Sequence, residues 1–264
     1  MLAEAIVAHM GHDFNTYFEP FLGGAALLLH MEPEHAVCSD INPELVNFYN
    51  VVQDNVEGLI NEIHDHYLPF HGQDFYYHVR GLDRNAEQFA QMTPVERAAR
   101  FIYLNKACFN GLWRVNRQGF NNVPWGRHDN LNLWNEDNLM DVHNYFANND
   151  IQILLADYAE TAHMAEEGDL VYFDPPYDDE RQVGFTDYAA NGFTRQNQTE
   201  LHDLCNELVD NGVQVAVSNA DTAFIRELFT EEHYHIHDDI VARRSIGARA
   251  ETRGRVNELL IIGG

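Results

Sequence analysis

Hydrophobic positions recur along this chain at two spacings, and the changeover between them sketches a fold. Leu2 to Met10 carries helical spacing, and Thr16 to Glu19 is a short strand entry. Pro20-Phe21-Leu22-Gly23-Gly24 is a glycine turn leading into the helix-forming run Ala25 to His30. Ala36-Val37-Cys38-Ser39 is an unbroken strand ending at Asp40. Asn42-Pro43 then opens a long helix with Leu45, Val46, Tyr49, Val52 and Val56 on one face. Strand, glycine turn, helix and a second strand closed by an acid predict the start of a doubly wound α/β sheet. From about residue 55 to 148 histidines, aromatics and asparagines dominate, no strong strand pattern occurs, and Pro94 to Asn105 is helical. Strands return at Ile151 to Ala156, Leu170 to Phe173, Val213 to Val217 and Leu259 to Ile262, separated by helices at Gln196 to Val209 and Thr222 to Phe229. The expected organisation is one sheet domain from 1–54 and 149–264, interrupted by a mostly helical insertion at 55–148.

Charge changes this picture. The 264 residues include 16 basic and 42 acidic side chains, a net charge of −26, and Lys106 is the single lysine. Such an excess repels both itself and nucleic acid unless salt is abundant, since the Debye length falls to about 3 Å at 1 M. Acidic excess with lysine depletion fits a protein working in molar salt better than an ordinary acidic cytosolic protein or a DNA mimic. The cations are also segregated. Between Arg97 and His128 there is no acid but six cations, Arg97, Arg100, Lys106, Arg114, Arg117 and Arg127. Between Ile240 and Asn257, Arg243, Arg244, Arg249, Arg253 and Arg255 face Glu251 alone. Two surfaces for a polyanion are expected, with internal arginine–carboxylate pairing as the bland alternative. Cys38, Cys108 and Cys205 are too widely spaced for a disulfide framework or a metal knuckle. The sequence has no span-length apolar run and no signal-peptide pattern, so a cytoplasmic protein is expected.

Two constellations carry candidate chemistry. Leu170-Val171-Tyr172-Phe173 runs straight into Asp174-Pro175-Pro176-Tyr177 at a strand's C-terminal edge, where α/β sheets bind ligands. The prolines fix the backbone so that the Asp174 carboxylate and the Pro175 carbonyl offer two acceptors, matching the two hydrogens of an exocyclic amine. Tyr177 adds a flat face on which a base can stack, worth roughly 1–3 kcal/mol. In Glu19-Pro20-Phe21-Leu22-Gly23-Gly24 the glycines allow close backbone approach to a cofactor, and Asp40 can accept ribose hydroxyls. The turn is neither GxGxxG nor a P-loop. His233, His235 and His237 alternate, so on a strand they share one face, but they bring no further zinc ligand; exposed histidines of a polar strand are expected, and no metal. Tyr76, Tyr77, Trp125 and Trp134 read as packing residues of the insertion.

These motifs, with Ser39-Asp40-Ile41-Asn42, the segment Asn105 to Arg114, Asn122-Val123-Pro124-Trp125-Gly126, Phe185-Thr186-Asp187-Tyr188, Ser218-Asn219 and Arg243-Arg244-Ser245-Ile246, resemble the Dam-type (D12 class) DNA adenine-N6 methyltransferases in order and over about residues 2 to 262. The resemblance implies a Rossmann-like S-adenosylmethionine-dependent methyltransferase sheet with an inserted, mostly helical DNA-recognition domain, acting as a monomer on double-stranded DNA. It implies that Glu19, Phe21, Gly23, Gly24, Asp40, Asp157 and Asp174 line the cofactor site. Asp174, Pro175, Pro176 and Tyr177 would hold the target adenine. Lys106, Phe109, Asn110, Arg114, Asn116, Arg117, Pro124, Arg127, Arg243 and Arg244 would meet DNA, with Phe109 and Asn110 in an intercalating and base-reading hairpin. The commonest family target is GATC, and Arg114 is consistent with reading a guanine. Two departures stand out. The family's opening K-W-x-G-G-K segment has no counterpart here, which leaves open a chain begun too late or an impaired activity. Ala25 replaces the last glycine of F-x-G-x-G, a change that a turn or helix start should tolerate.

In such a site the amine, whose lone pair is delocalised into the ring, is drawn toward a tetrahedral shape by its two acceptors and attacks the sulfonium methyl in line. The base must first leave the duplex, which costs a few kcal/mol. The rivals are an N4-cytosine or RNA-adenine methyltransferase, a DNA-binding module that has lost catalysis, and a small-molecule methyltransferase, for which the cationic segments have no use.

Overall fold

The computed structural model describes residues 2–10, 13–128, 136–178, 193–230, 232–243 and 255–264. The chain separates into two compact units, one built from residues up to Ile41 and again from Asn149 onward, the other from Asn42–Asn148.

The first unit is a seven-stranded sheet with flanking helices, an α/β fold of the kind that S-adenosylmethionine-dependent methyltransferases use. Its elements are α1 (Leu2–Val7), β1 (Tyr17–Glu19), α2 (Leu28–Met31) and β2 (His35–Asp40); after the second unit it continues with β3 (Asp150–Leu155), α8 (Tyr158–Ala162), β4 (Leu170–Phe173), α9 (Arg195–Asp210), β5 (Gln214–Ala220), α10 (Ala223–Leu228), β6 (His235–Arg243) and β7 (Arg255–Gly263). Strand order is β3-β2-β1-β4-β5-β7-β6, parallel except for β7, which runs antiparallel to both of its neighbours. The central strands are apolar on both faces: all four residues of β4 are buried, as are Val215, Ala216 and Val217 of β5. Helices must therefore cover both sides of the sheet. Leu201, Leu204, Cys205 and Leu208 of α9 pack in one core with Phe173, Val215, Val217 and Ile261.

The second unit comprises α3 (Pro43–His66), α4 (Gln73–Gly81), α5 (Ala86–Gln91), α6 (Pro94–Ala107) and α7 (Glu136–Asn148), with a hairpin between α6 and α7. Asn42 caps α3 by accepting the Glu44 N–H at 3.1 Å, with Pro43 in its first turn. Asn55 interrupts the helix with non-helical dihedrals and caps its continuation through the Gly58 N–H at 3.1 Å. Thr93, Pro94 and Glu96 form a capping box that starts α6.

Several sequence expectations shift. The helix after the glycine turn begins at Leu28 rather than Ala25, because Gly23 and Ala25 adopt φ of +45° and +52°. The alternating histidines fall on β6, an edge strand, with one shift: His235 and His237 belong to it while His233 lies in the preceding turn, and the His237 ring lies 4.1 Å from that of His9. Among the described residues no group of three or more His, Cys, Asp or Glu side chains could hold a metal ion, and no helix is long and apolar enough to cross a membrane. Cys38, Cys108 and Cys205 are buried free thiols.

Candidate functional site

The parallel strands leave β1 in opposite directions, to β2 on one side and β4 on the other. A doubly wound sheet has its crevice at the carboxyl ends of such a pair. The turn after β1 is fastened to β2: the Leu22 N–H donates to the Ser39 carbonyl at 2.9 Å, and the Gly23 N–H to Asp40 Oδ2 at 3.1 Å. The Ser39 hydroxyl donates to the Pro20 carbonyl at 3.3 Å and accepts from Thr161 at 2.7 Å. Ala25 is fully buried in a left-handed conformation that favours glycine. Of the two settings expected for this departure from the family pattern, a turn or a helix start, it occupies the turn, and there in a conformation strained for a non-glycine residue. Ile41, just past the end of β2, and Leu155, paired in register with Asp40, are 74% and 59% exposed.

Asp174 follows β4 at the same edge. Its side chain is solvent-exposed at the end of the strand. Loss of hydration raises its pKa to about 6, against a lowering contact from the Tyr177 hydroxyl. The same burial, reinforced by the Asp174 charge, raises the pKa of the Tyr177 phenol. Glu19, at the end of β1, lies behind the turn at 3% exposure. Its Oε2 accepts from the Tyr17 hydroxyl at 3.0 Å and the Leu28 N–H at 3.1 Å. Desolvation, with a smaller push from Asp174, lifts Glu19 to about 8, so it is a neutral acid at pH 7. Beyond Tyr177 the Asp178 carboxylate takes both guanidinium arms of Arg195, at 2.8 and 2.9 Å, and the Thr222 hydroxyl at 2.8 Å.

Aromatic rings line this edge. Phe21 stacks on Tyr158 at 5.1 Å between centroids with 20° between planes, and meets Phe193 and Phe173 edge-on. Asp157 acts locally, as its Oδ1 accepts the Ala159 N–H at 3.0 Å and, with Glu160, forms the capping box of α8. Gly24 is open, with nothing within 4 Å of a Cβ added there.

In the second unit residues 107–126 form a hairpin. Antiparallel bridges join Cys108 to Trp125 and Val115 to Asn121, and the tip is closed by Asn116, whose Oδ1 accepts the Gln118 and Phe120 N–H groups at 2.9 and 3.1 Å. At its base Asn110 and Gly111 have φ of +57° and +63°, and Phe109 beside them is 41% exposed. Lys106, Arg114, Pro124, Arg117 and Arg127 are exposed as well. The Arg114 guanidinium is steered by Asn122 Oδ1 at 2.6 Å. The returning strand is held from α4 and the turn after it: the Tyr76 hydroxyl and Arg80 donate to the Val123 carbonyl at 2.9 and 2.8 Å, Arg84 donates to the Asn121 carbonyl at 2.6 Å, and Asp83 accepts the Asn121 N–H at 2.9 Å.

Part of the first acid-free island is therefore structural. Arg100 is buried against Asp83 at 2.9 Å, and Arg97 pairs with Glu44. Internal pairing accounts for these two, because carboxylates from distant parts of the chain reach them, and four of the six cations remain exposed. Arg243 ends β6, opposite Arg255 of β7. Arg244, Arg249, Arg253, Trp134 and the Phe185–Tyr188 motif lie outside the described residues. Thus Glu19, Phe21, Gly23, Gly24, Asp40, Asp174 and Tyr177 converge on one sheet edge, Asp157 stands beyond it at the end of β3, and the hairpin residues group in the other unit. Sequence reading missed Tyr158, Phe193, Asp178 and Arg195, and also the hairpin supports Arg80, Asp83 and Arg84; Tyr76, expected as a packing residue, is buried and adds its hydroxyl to those supports.

Comparison with known proteins agrees with this geometry. The family of D12 class N6 adenine-specific DNA methyltransferases matches residues 1–243. A type II methyltransferase of Lactococcus lactis, M1.LlaDCHI, is 36% identical over 253 residues, 96% of this chain and 87% of its own length. M.MjaIII of Methanocaldococcus jannaschii, also a type II methyltransferase, is 34% identical over 95% of this chain and 89% of its own. A DNA adenine methylase of Haemophilus influenzae is likewise 34% identical, covering 95% and 85%. With its sheet order, its strand-end acid and a family match over most of its length, this chain is an enzyme of the D12 class of N6 adenine-specific DNA methyltransferases.

Proposed function

We propose that the chain transfers a methyl group from S-adenosylmethionine to the N6 amine of an adenine extruded from double-stranded DNA, at a GATC-like site. The observation that carries this reading is Asp174: a solvent-exposed carboxylate directly after β4, at the carboxyl edge of the β1/β4 pair, and ionised at neutral pH. The residues present fit the cofactor. Asp40 offers acceptor chemistry for ribose hydroxyls, the turn at Phe21, Gly23 and Gly24 leaves backbone accessible, and the exposed apolar pair Ile41 and Leu155 suits a flat adenine. S-adenosylmethionine supplies, when bound, a methyl group activated on a sulfonium. Asp174 and the Pro175 carbonyl accept the two amino hydrogens and draw the nitrogen out of conjugation, Pro176 keeps the turn rigid, and Tyr177 packs on the base while touching the carboxylate. Glu19, uncharged, adds no second negative charge next to Asp174. Asp157 borders the adenine end of the cofactor through the start of α8.

Phe109 fills the gap left by the extruded base, Asn110 and Arg114 read base edges, Arg114 a guanine, and Pro124 packs against a base. Lys106, Arg117, Arg127, Arg243 and Arg244 meet phosphates, and Asn116 shapes the hairpin tip. The enzyme acts as a monomer in the cytoplasm, at molar salt. Phosphate contacts yield little affinity there, so stacking and base contacts carry an unusual share of binding.

The test is methylation-sensitive digestion of DNA from cells expressing the chain or its Asp174→Ala variant. Protection at an adenine-containing site by the parent, none by the variant, and equal binding of purified parent and variant to duplex DNA are expected. Methyl transfer by the variant would contradict the reading.

A further inference from the structure

Two side-chain amides that the chemistry above leaves idle hold the Asp174–Asp178 turn from beneath. Gln198 of α9 is 2% exposed and Asn219 of β5 is fully buried. Gln198 Nε2 donates to the Pro176 carbonyl at 2.9 Å, and its Oε1 accepts from Asn219 Nδ2 at 3.0 Å. Asn219 Oδ1 in turn accepts the Asp178 N–H at 3.2 Å and the Ala220 N–H at 2.9 Å. One carbonyl and one N–H, on either side of Tyr177, are thereby pinned to two different elements of the sheet unit.

This arrangement answers a problem set by the sequence. Pro175 and Pro176 have no N–H, so a backbone ladder cannot fix the segment. Apolar side chains could fill the same space but could not direct a carbonyl. An amide pair can, because each amide has a donor and an acceptor at fixed directions, and a buried amide with an unmet partner is costly. The pair is also uncharged, so it orients the turn without adding a field that would shift the ionisation of Asp174.

We propose that Gln198 and Asn219 are positioning residues for methyl transfer: they set the height of the turn so that the Asp174 carboxylate and the Pro175 carbonyl meet both amino hydrogens together. The proposal rests on the adenine-N6 reading of the Asp174 site. A displacement of about 1 Å at such a site can cost about 10²-fold in rate.

The experiment compares the full chain with Gln198→Met and Gln198→Glu, using S-adenosylmethionine and a duplex carrying the protected site. Gln198→Met keeps size and apolar packing but loses the donor. Its kcat should fall about 10²-fold while KM for DNA and cofactor affinity stay as in the parent. Glu at this position can donate to Pro176 only when protonated, so the kcat of Gln198→Glu relative to the parent should rise as pH falls. In a packing role the buried carboxylate lowers thermal stability and cofactor binding together with kcat, and all three recover together on protonation; here kcat alone recovers. Parent-like kcat in Gln198→Met overturns the proposal. So does a joint loss of kcat, cofactor binding and thermal stability with no pH-dependent recovery of kcat alone in Gln198→Glu. Should Gln198→Met fail to fold, the pH profile of Gln198→Glu decides alone. A parent chain that methylates no adenine sinks the underlying reading, whereas parent activity with an unimpaired Gln198→Met sinks only the positioning role.

Discussion

The strand-end turn and the hairpin are both short irregular segments that present side chains outward, yet they are fastened by opposite means. The turn at Asp174–Asp178 rests on two neutral amides, and the charged pair beside it, Asp178–Arg195, is self-compensating. The hairpin is held by three arginines, a tyrosine hydroxyl and a carboxylate reaching backbone groups of its returning strand and of the segment beneath it. The difference follows from what each must present. Any net charge under Asp174 would move its ionisation, so its supports are neutral. The hairpin presents cations, has no titration to protect, and gains from the several donors that each guanidinium offers to carbonyls.

Substitutions at the two sets of supports should therefore have unequal costs. The largest effect belongs to Arg100, whose Nε donates to the Val79 carbonyl at 3.0 Å and which is paired with Asp83 out of water. Arg100→Met removes a buried cation shared by Asp83 and two backbone carbonyls, while Arg84 and the Asn121 N–H still hold Asp83. A stability loss of about 1.5–3 kcal/mol is expected in denaturant unfolding. Arg97→Met, at a more exposed pair, should cost no more than about 1 kcal/mol, although sequence placed the two arginines in one island. Equal costs would mean that burial is not what separates them.

Glu19 is a neutral neighbour of Asp174 at the end of β1. Its carboxyl is raised from 4.5 to about 8, so the unfolded chain releases this proton long before the folded one does. Stability from this group is complete below about pH 4.5 and is lost as pH rises toward 8, by at most about 1.4 kcal/mol per pH unit. Glu19→Gln keeps an acceptor for Tyr17 and Leu28 and removes the titration. Its unfolding free energy should change less than the parent's between about pH 5 and 8, leaving the variant the more stable at the alkaline end; parallel pH curves would contradict this.

Arg114→Ala should weaken DNA binding by about 1–3 kcal/mol and relax discrimination at one base pair, read by competition with single-substituted duplexes. Arg117→Ala should weaken all duplexes alike. The smallest effect is at Ala25, where glycine relieves a φ of +52° but loses a buried methyl, for a net gain below about 1 kcal/mol in thermal unfolding.

Much of the sheet unit was legible because its signals are local. The run Leu170–Phe173 is apolar on both faces, and Asp174-Pro175-Pro176-Tyr177 stands directly at a strand end; in the other unit Asn42-Pro43 is an equally local signal, a cap followed by a first-turn proline. The rest depends on partners distant in sequence. Nothing near Gln198 announces that its amide meets Pro176, 22 residues earlier, or that Asn219 lies 21 residues beyond it. Arg97 and Arg100 look identical to Lys106 and Arg114 until Glu44 and Asp83 are folded against them. The start of β6 showed in its alternating histidines, which read as a polar strand; its exact start at His235 did not. Ala25 reads as a helix former, and only the turn's geometry turns it left-handed.

The central claim, that ionised Asp174 grips the amine, is tested most directly by single-turnover methyl transfer from about pH 5 to 8 by the parent and by Asp174→Ala. The account predicts a parent rate that is lost as pH falls through about 6, where the carboxylate gains its proton and ceases to accept, and no measurable transfer by the variant at any pH. A variant that still methylates adenine, or a parent rate indifferent to protonation across that range, would contradict it.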